Sequence, residues 1–263
     1  MLEARHLTIA AALGATLLAA GGVRAESEIR IPYPDAFGAI PAATYDEDHR
    51  RVGGAHLVIE KLENGNVRIL SESGIDQGAR TVARAELAPV DSGRLLQLLT
   101  EQCHSFDGDG RSLGVLRIDH RSATASCTFS NGSGETRQEI ALPEVDRVVN
   151  VPLNLLFLPL VRGDLEAVSF QFFMCRGGPR LLDFEARVAA RNGSNGGGKL
   201  VEVRYGPDFG PFFSLIAKRL IPQLSFWFDP DDREAWIAHR LPLYSRGPEV
   251  FVIRDGVPAS WLR

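Results

Sequence analysis

The chain is poor in the residues that usually announce chemistry. It holds three cysteines and six histidines, and none of them falls at C-x₂-C, H-x₃-H or H-E-x-x-H spacing, which removes the common zinc sites and the zinc proteases. The nucleophile motif G-x-S-x-G is absent. Ser133 in "NGSGE" (131–135) lies in a polar turn instead. "SFDGDGRSLGVL" carries Asp107, Asp109 and Gly110 in the order of a calcium loop, but Ser105 takes the first ligand position and Leu116 the place of the closing glutamate. "NGNV" and "NGGGK" lack the length and flanks of a phosphate loop. No cofactor or metal is expected. A basic excess is missing too: the formal charge is −4, which argues against a nucleic-acid partner, since phosphate binding needs a basic face.

Long apolar runs are scarce. The first, "LTIAAALGATLLAA" after Arg5 and His6, is followed by "GGVRA" with small residues at Val23 and Ala25. A weakly basic start, a run of roughly 14 residues and an A-x-A-like end predict a secretory signal peptide over residues 1–25. A bilayer span needs about 20 apolar residues. Glu3 is atypical of such a start and leaves an uncleaved anchor as the alternative. Glu26 follows the predicted cut, with no cysteine there to carry a lipid. The expectation is a soluble protein, periplasmic or otherwise exported. The second run is "VPLNLLFLPLVRG" (151–163). Pro152 and Pro159 rule out an uninterrupted helix or a central strand, and the run is too short to span. It is expected to be buried against protein, as core filling or as the lining of a greasy groove that includes Leu156 and Phe157.

What the chain does have is strand pattern. "HLVIEKL" and "VRILSES" flank "ENGN", a hairpin signal. "RTVARAEL", "LGVLRID", "TASCTFS" and "TRQEIAL" complete a first meander, with "GRLLQLLTEQC" (93–103) readable as a helix. "VSFQFFMC", "LLDFEARVAAR", "LVEVRYG", "LSFWFD", "AWIAHRL" and "EVFVIRDG" make a second. Short strands between Gly-, Ser- and Asn-rich turns predict a mainly β fold: a curved antiparallel sheet or incomplete barrel. One or two short helices would plug its open face. Residues 26–263 form a single β-rich domain in this reading, its two meanders joined near 143–165. "DFGPFFSLIAKRLIPQL" (208–224) repeats Phe212, Ile216 and Leu220 at helical spacing with Phe213 beside them, and Pro222 stops it. That helix either plugs the sheet or acts as a lid over an apolar cavity.

The odd number of cysteines suggests one disulfide and one spare thiol. Cys103 and Cys127 flank the strand "LGVLRI". Strands two apart lie about 9–10 Å from each other, and disulfides rarely tolerate Cα separations beyond about 7 Å. A Cys103–Cys127 bridge therefore requires 93–103 to be a helix over the sheet, and Cys175 reads as the buried, unreacted thiol. His104 and His120 adjoin Cys103 and Asp119, but at no recognised metal spacing. Loop residues His239, Arg240 and Tyr244, in "WIAHRLPLYSRGPEVFVIRDG", are functional candidates or the frame of a stiff turn. In "LSFWF", alternation sends Phe226 and Phe228 to one face and Trp227 to the other, so the strand is covered on both faces or borders a cavity.

The order of signal peptide, β-meander, "LPEVDRVVNVPLNLLFLPLVRG", second meander and closing "LSFWFDPDDREAWIAHRLPLYS" resembles uncharacterised exported bacterial envelope proteins. These are similar in turn to the lipoprotein carriers, in which a curved antiparallel sheet wraps an apolar cavity closed by helices. The resemblance is one of layout and implies a binding or chaperone role in the envelope without chemistry. Three functions follow as expectations. The first is a non-enzymatic protein that binds or passes an apolar or lipid-like ligand. The second is a hydrolase using His239, and the third a structural module that recruits an envelope protein partner. For the first, the expected ligand-binding set is Leu156, Phe157, Phe212, Phe213, Ile216, Phe226, Phe228, His239, Arg240 and Tyr244.

Overall fold

The computed structural model describes residues 29–131, 134–193, 199–208, 224–232, 235–244 and 247–262. Within them the chain is mainly β. The first half of the chain gives β1 (Ile31–Pro32), β2 (Gly38–Tyr45), β3 (Arg51–Lys61), β4 (Val67–Gly74) and β5 (Arg80–Val90), then β6 (Leu95–Phe106), β7 (Ser112–Asp119), β8 (Thr124–Asn131) and β9 (Gly134–Ala141). Two short helical turns follow, α1 (Leu153–Leu156) and α2 (Leu158–Arg162). The second half supplies β10 (Ala167–Met174), β11 (Arg180–Gly193), β12 (Lys199–Pro207), β13 (Leu224–Phe228), β14 (Trp236–Pro242) and β15 (Glu249–Arg254).

These strands form one antiparallel sheet in the order β10-β11-β12-β13-β14-β15-β2-β3-β4-β5-β6-β7-β8-β9, with β1 added against β6. Each meander is a run of sequence neighbours. They are sewn together where β15 pairs with β2, Ile253 opposite Ala43. The turns follow from their polar residues. In the β3–β4 hairpin Leu62 and Asn66 close the loop, the Asn64 side chain accepts from the Asn66 amide, and Gly65 takes the positive φ of 86°. Asp107 accepts from the amides of Asp109 and Arg111 to make the turn that precedes β7.

The sheet does not close. Alternation puts Ile59, Ile69, Ala85, Glu101, Ile118 and Ala125 in one inward-facing cross-strand row. Its first three members belong to the main core, with Phe170 of β10, whereas Ile118 and Ala125 pack with Phe173 and Leu181, from the opposite face of the β10–β11 pair. The β7–β9 end therefore laps over the outside of β10–β11, and the two ends overlap like a scroll. The free edge of β10 is occupied by residues 148–150. Val148 bridges to Gln171 in parallel, and the Asn150 side chain bonds both the N–H and the C=O of Phe173. An exposed strand edge invites pairing with another chain, and this one is capped.

Two readings of the sequence are corrected here. Residues 95–106 are a strand rather than a helix: flanked on both sides by β5 and β7, the segment buries Leu96 and Leu98 by alternation and then continues to Glu101 across a bulge in the β5–β6 register. Cys103 consequently pairs with Leu116, and Leu116 with Cys127, so the two cysteines sit two strands apart and do not bridge. Cys127 is instead joined to Cys175, their Cα atoms 5.6 Å apart, and Cys103 is the free thiol. That disulfide staples the overlap, a contact that exists only once the sheet has rolled up. The apolar segment 208–224 lies, but for its terminal residues Asp208 and Leu224, outside the described residues, as do the predicted signal peptide and Phe212, Phe213 and Ile216. No helix among the described residues is long and apolar enough to cross a membrane.

Candidate functional site

The 151–163 stretch fills the lumen of the scroll. Pro152 precedes α1, Pro159 sits in the first turn of α2, and Gly163 ends it in the left-handed conformation at φ 83°. Every residue from Pro152 to Phe157 is buried. Phe157 is fully enclosed, its ring 5.4 Å from Tyr205, 5.5 Å from Phe226 and 6.1 Å from Phe170, separations at which aromatic rings attract edge to face. Phe226 stacks on Phe228, and both face inward, while Trp227 faces outward against Phe251. That strand is covered on both faces. Leu156, Phe157, Phe226 and Phe228 are thus brought together in one apolar core.

This plug is held by side chains rather than by sheet hydrogen bonds. At its entrance Glu101 of β6, with a side chain wholly removed from solvent, accepts from the amides of Asn150 and Val151 and from His120 Nε2 at 2.8 Å. Burial pushes the Glu101 carboxyl up from its ordinary range, opposed by His120 and by the two amides. At its exit the Arg191 guanidinium donates to the carbonyls of Leu160 and Val161 in the last turn of α2. Arg162 meets Asp35 at 2.7 Å. Nothing in "LLTEQC" distinguishes Glu101 from a solvated glutamate; only its inward parity on a strand could have signalled burial. His120 is absorbed by Glu101 and His104 by Ser112. No cluster of three or more His, Cys, Asp or Glu able to hold a metal occurs among the described residues.

The three loop candidates separate. His239 is buried between Phe226 and Trp236, 5.1 and 5.6 Å away ring to ring, and burial pushes its pKa down to about 4. A neutral imidazole could serve as a base, yet no hydroxyl, thiol or carboxylate among the described residues bonds to it, and general-base catalysis requires that reach. Arg240 is spent on Glu249 at 2.8 Å and lies over the Phe251 ring. Tyr244 packs with Ile75, Ala79, Leu243 and Val250, away from the lumen. Its ring lies so close to Gly247 that a Cβ there would meet it at 2.9 Å, so glycine frames this turn.

Two hollows between the described residues bear on the geometry. One, about 20 Å³ and mostly apolar, lies where the lumen reaches the surface, between Phe37, Ile40, Ile59, Leu155 and Leu158, with Asp35 in its lining. It has room for roughly one water. The other is an open cleft of about 710 Å³ along the outer face of β4–β9, lined by charged and hydroxyl side chains.

No family model matches the sequence, and no curated protein matches it. Among solved structures, the crystal structure of a β-barrel-like protein of a domain of unknown function, DUF1849, from Brucella abortus is similar at 10% identity and a TM-score of 0.39, over 83% of this chain and 97% of that one.

Proposed function

We propose that the protein is exported, loses residues 1–25, and acts without chemistry as a binder or carrier of an apolar or lipid-like ligand in the cell envelope. The observation that supports this reading is the nature of the lumen filler. The aromatic-walled interior is occupied by a discrete segment, 151–163, tied in by Glu101, Arg191 and Asp35. A filler attached at its ends and packed only by side chains can shift without breaking the sheet. At rest the hollow between the described residues, about 20 Å³, is too small for an acyl chain, since ligand cavities usually measure about 300–1,000 Å³. Entry is by the mouth at Phe37, which is 44% exposed beside the small apolar hollow.

The test is fluorescent fatty-acid binding to the purified protein, with native mass spectrometry for co-purified lipid. Leu155→Ala enlarges the hollow, and removing buried methyl groups leaves space that collapses only partly. The expected result is saturable probe binding, tightened in Leu155→Ala. A parent and a Leu155→Ala variant that both fail to bind, with no lipid retained, would overturn the carrier reading.

A second reading, a module that recruits a partner protein, is favoured by β9. This terminal strand is exposed on both faces through Gly134–Glu139 and, among the described residues, pairs only with β8, a geometry suited to addition of a partner strand. Its alternating Glu135, Arg137 and Glu139 are the charges by which edges resist such pairing, so it ranks second.

A further inference from the structure

We infer that the outer cleft of β4–β9 binds a small ligand through an oxyanion, phosphate or carboxylate, held between Arg84 and Arg117. Cross-strand register fixes the arrangement. Arg84 of β5, Gln102 of β6, Arg117 of β7, Ser126 of β8 and Glu139 of β9 are successive partners in one row on the outer face. The arginines stand two strands apart, about 9–10 Å at the backbone, with the Gln102 amide between them and Ser126 beside Arg117. Two long guanidinium arms rising from one row on either side of Gln102 suit a group with several anionic oxygens, which arginine grips with paired N–H donors.

The other charges of the cleft are already engaged. Arg68 pairs with Glu60 at 2.9 Å and Arg137 with Glu139 at 2.6 Å. Glu86 accepts from the Asn66 side chain, and Asp119 from the amides of Arg121 and Ser122. Arg84 and Arg117 make no ion pair with any described residue. The charge of Arg117 is felt by a neighbour: His104, two residues from Gln102 on the same face, has its pKa lowered by partial burial and then by Arg80 and Arg117. Four carboxylates, Glu86, Glu101, Asp119 and Glu139, also line the cleft, but each is bonded to a group other than Arg84 or Arg117. The volume of the cleft, about 710 Å³, matches a small organic anion. This site is separate from the apolar lumen and stands or falls apart from the carrier reading.

Calorimetric titration at low ionic strength with inorganic phosphate, and separately with citrate, tests it. Saturable binding of either probe is expected. Arg84→Gln or Arg117→Gln should weaken it about tenfold, the loss of one charge-assisted contact. Both arginines are exposed, so unchanged melting will certify that the variants fold. Arg68→Gln should leave binding intact, because Glu60 already holds that side chain. Absence of saturable binding overturns the proposal, as does equal weakening by Arg68→Gln, which would indicate a diffuse field. Sedimentation with anionic phospholipid vesicles when neither phosphate nor citrate binds also overturns it, since the surface would then serve a membrane rather than a small ligand.

Discussion

The two halves of the sheet are built on different plans. In β2–β9 the inward side is aliphatic, with Ile40, Leu57, Ile59, Val67, Ile69, Leu87 and Leu98, and the outward side is charged and wet. In β10–β15 the inward side is aromatic, with Phe170, Phe184, Tyr205, Phe226 and Phe228. On the outward side Leu200, Trp227, Ile237, Phe251 and Ile253 form a second apolar cluster under Val257 and Ala259 of the C-terminal segment, while β11 and β12 carry the ion pairs Arg187–Glu185 and Arg204–Glu202 there. The first half therefore obeys the in–out alternation of a sheet with one solvated face, while β13–β15 of the second read as the near-continuous apolar runs of strands covered on both sides. The plug leans on the aromatic wall. Large flat rings can be reached from several angles, so that wall suits a filler that is not hydrogen-bonded to it.

The contrast is broken or upheld by substitutions on the outer faces. Trp227→Ala, on the covered face, should cost about 3–5 kcal/mol in denaturant unfolding, as for other buried aromatic truncations. A loss below about 1 kcal/mol would mean that the second cluster is not a core.

An intermediate effect is expected from acid. The folded protein holds His239 neutral until about pH 4, whereas the unfolded chain takes up that proton near pH 6.5. Protonation thus favours the unfolded chain. The stabilising contribution is present above about 6.5 and is lost as pH falls through 4, amounting to roughly 3 kcal/mol. His239→Phe should remove that much of the acid sensitivity when urea unfolding is compared at pH 7 and pH 4. Parallel pH profiles for parent and variant would show that the imidazole is hydrated and the aromatic wall less dry than described.

The smallest effect is expected on the wet face. Arg137→Ala removes an exposed partner of Glu139, and such pairs contribute about 0–1 kcal/mol. A loss like that of Trp227→Ala would erase the distinction between the two halves.

Most of this architecture was legible in the sequence because it is local. Alternation and turn residues mark nearly every strand from β3 to β15, and the prolines at 152 and 159 mark the plug as neither an uninterrupted helix nor a central strand. Three features were not legible. In "GRLLQLLTEQC" the leucines at 95, 96, 98 and 99 satisfy a helical period as well as a strand, and only the flanking strands decide. β2, "GAIPAATY", is short of branched residues and contains Pro41, so its place at the centre of the sheet is invisible until β15 is laid beside it. The Cys127–Cys175 bridge and the burial of Glu101 depend on the ends of the sheet overlapping, a property of its total curvature that no window of residues contains. At the candidate site the inward parity of Phe226 and Phe228 was readable. The dispersal of Arg240 and Tyr244 was not, because their partners Glu249 and Ala79 come from other turns of the chain.

The seam between β15 and β2 bears on the order of assembly. Each meander consists of contacts between sequence neighbours and can form early, but Ala43 must wait for Ile253, almost the full chain away. Pairings this distant are slow to close. The last ladder to zip is therefore in the middle of the sheet rather than at its rim. Until it does, the molecule is two half-sheets hinged at residues 143–165, with the apolar hinge itself uncovered, and such intermediates aggregate readily. A chain of this topology gains from being kept unfolded until its C-terminal strand has arrived.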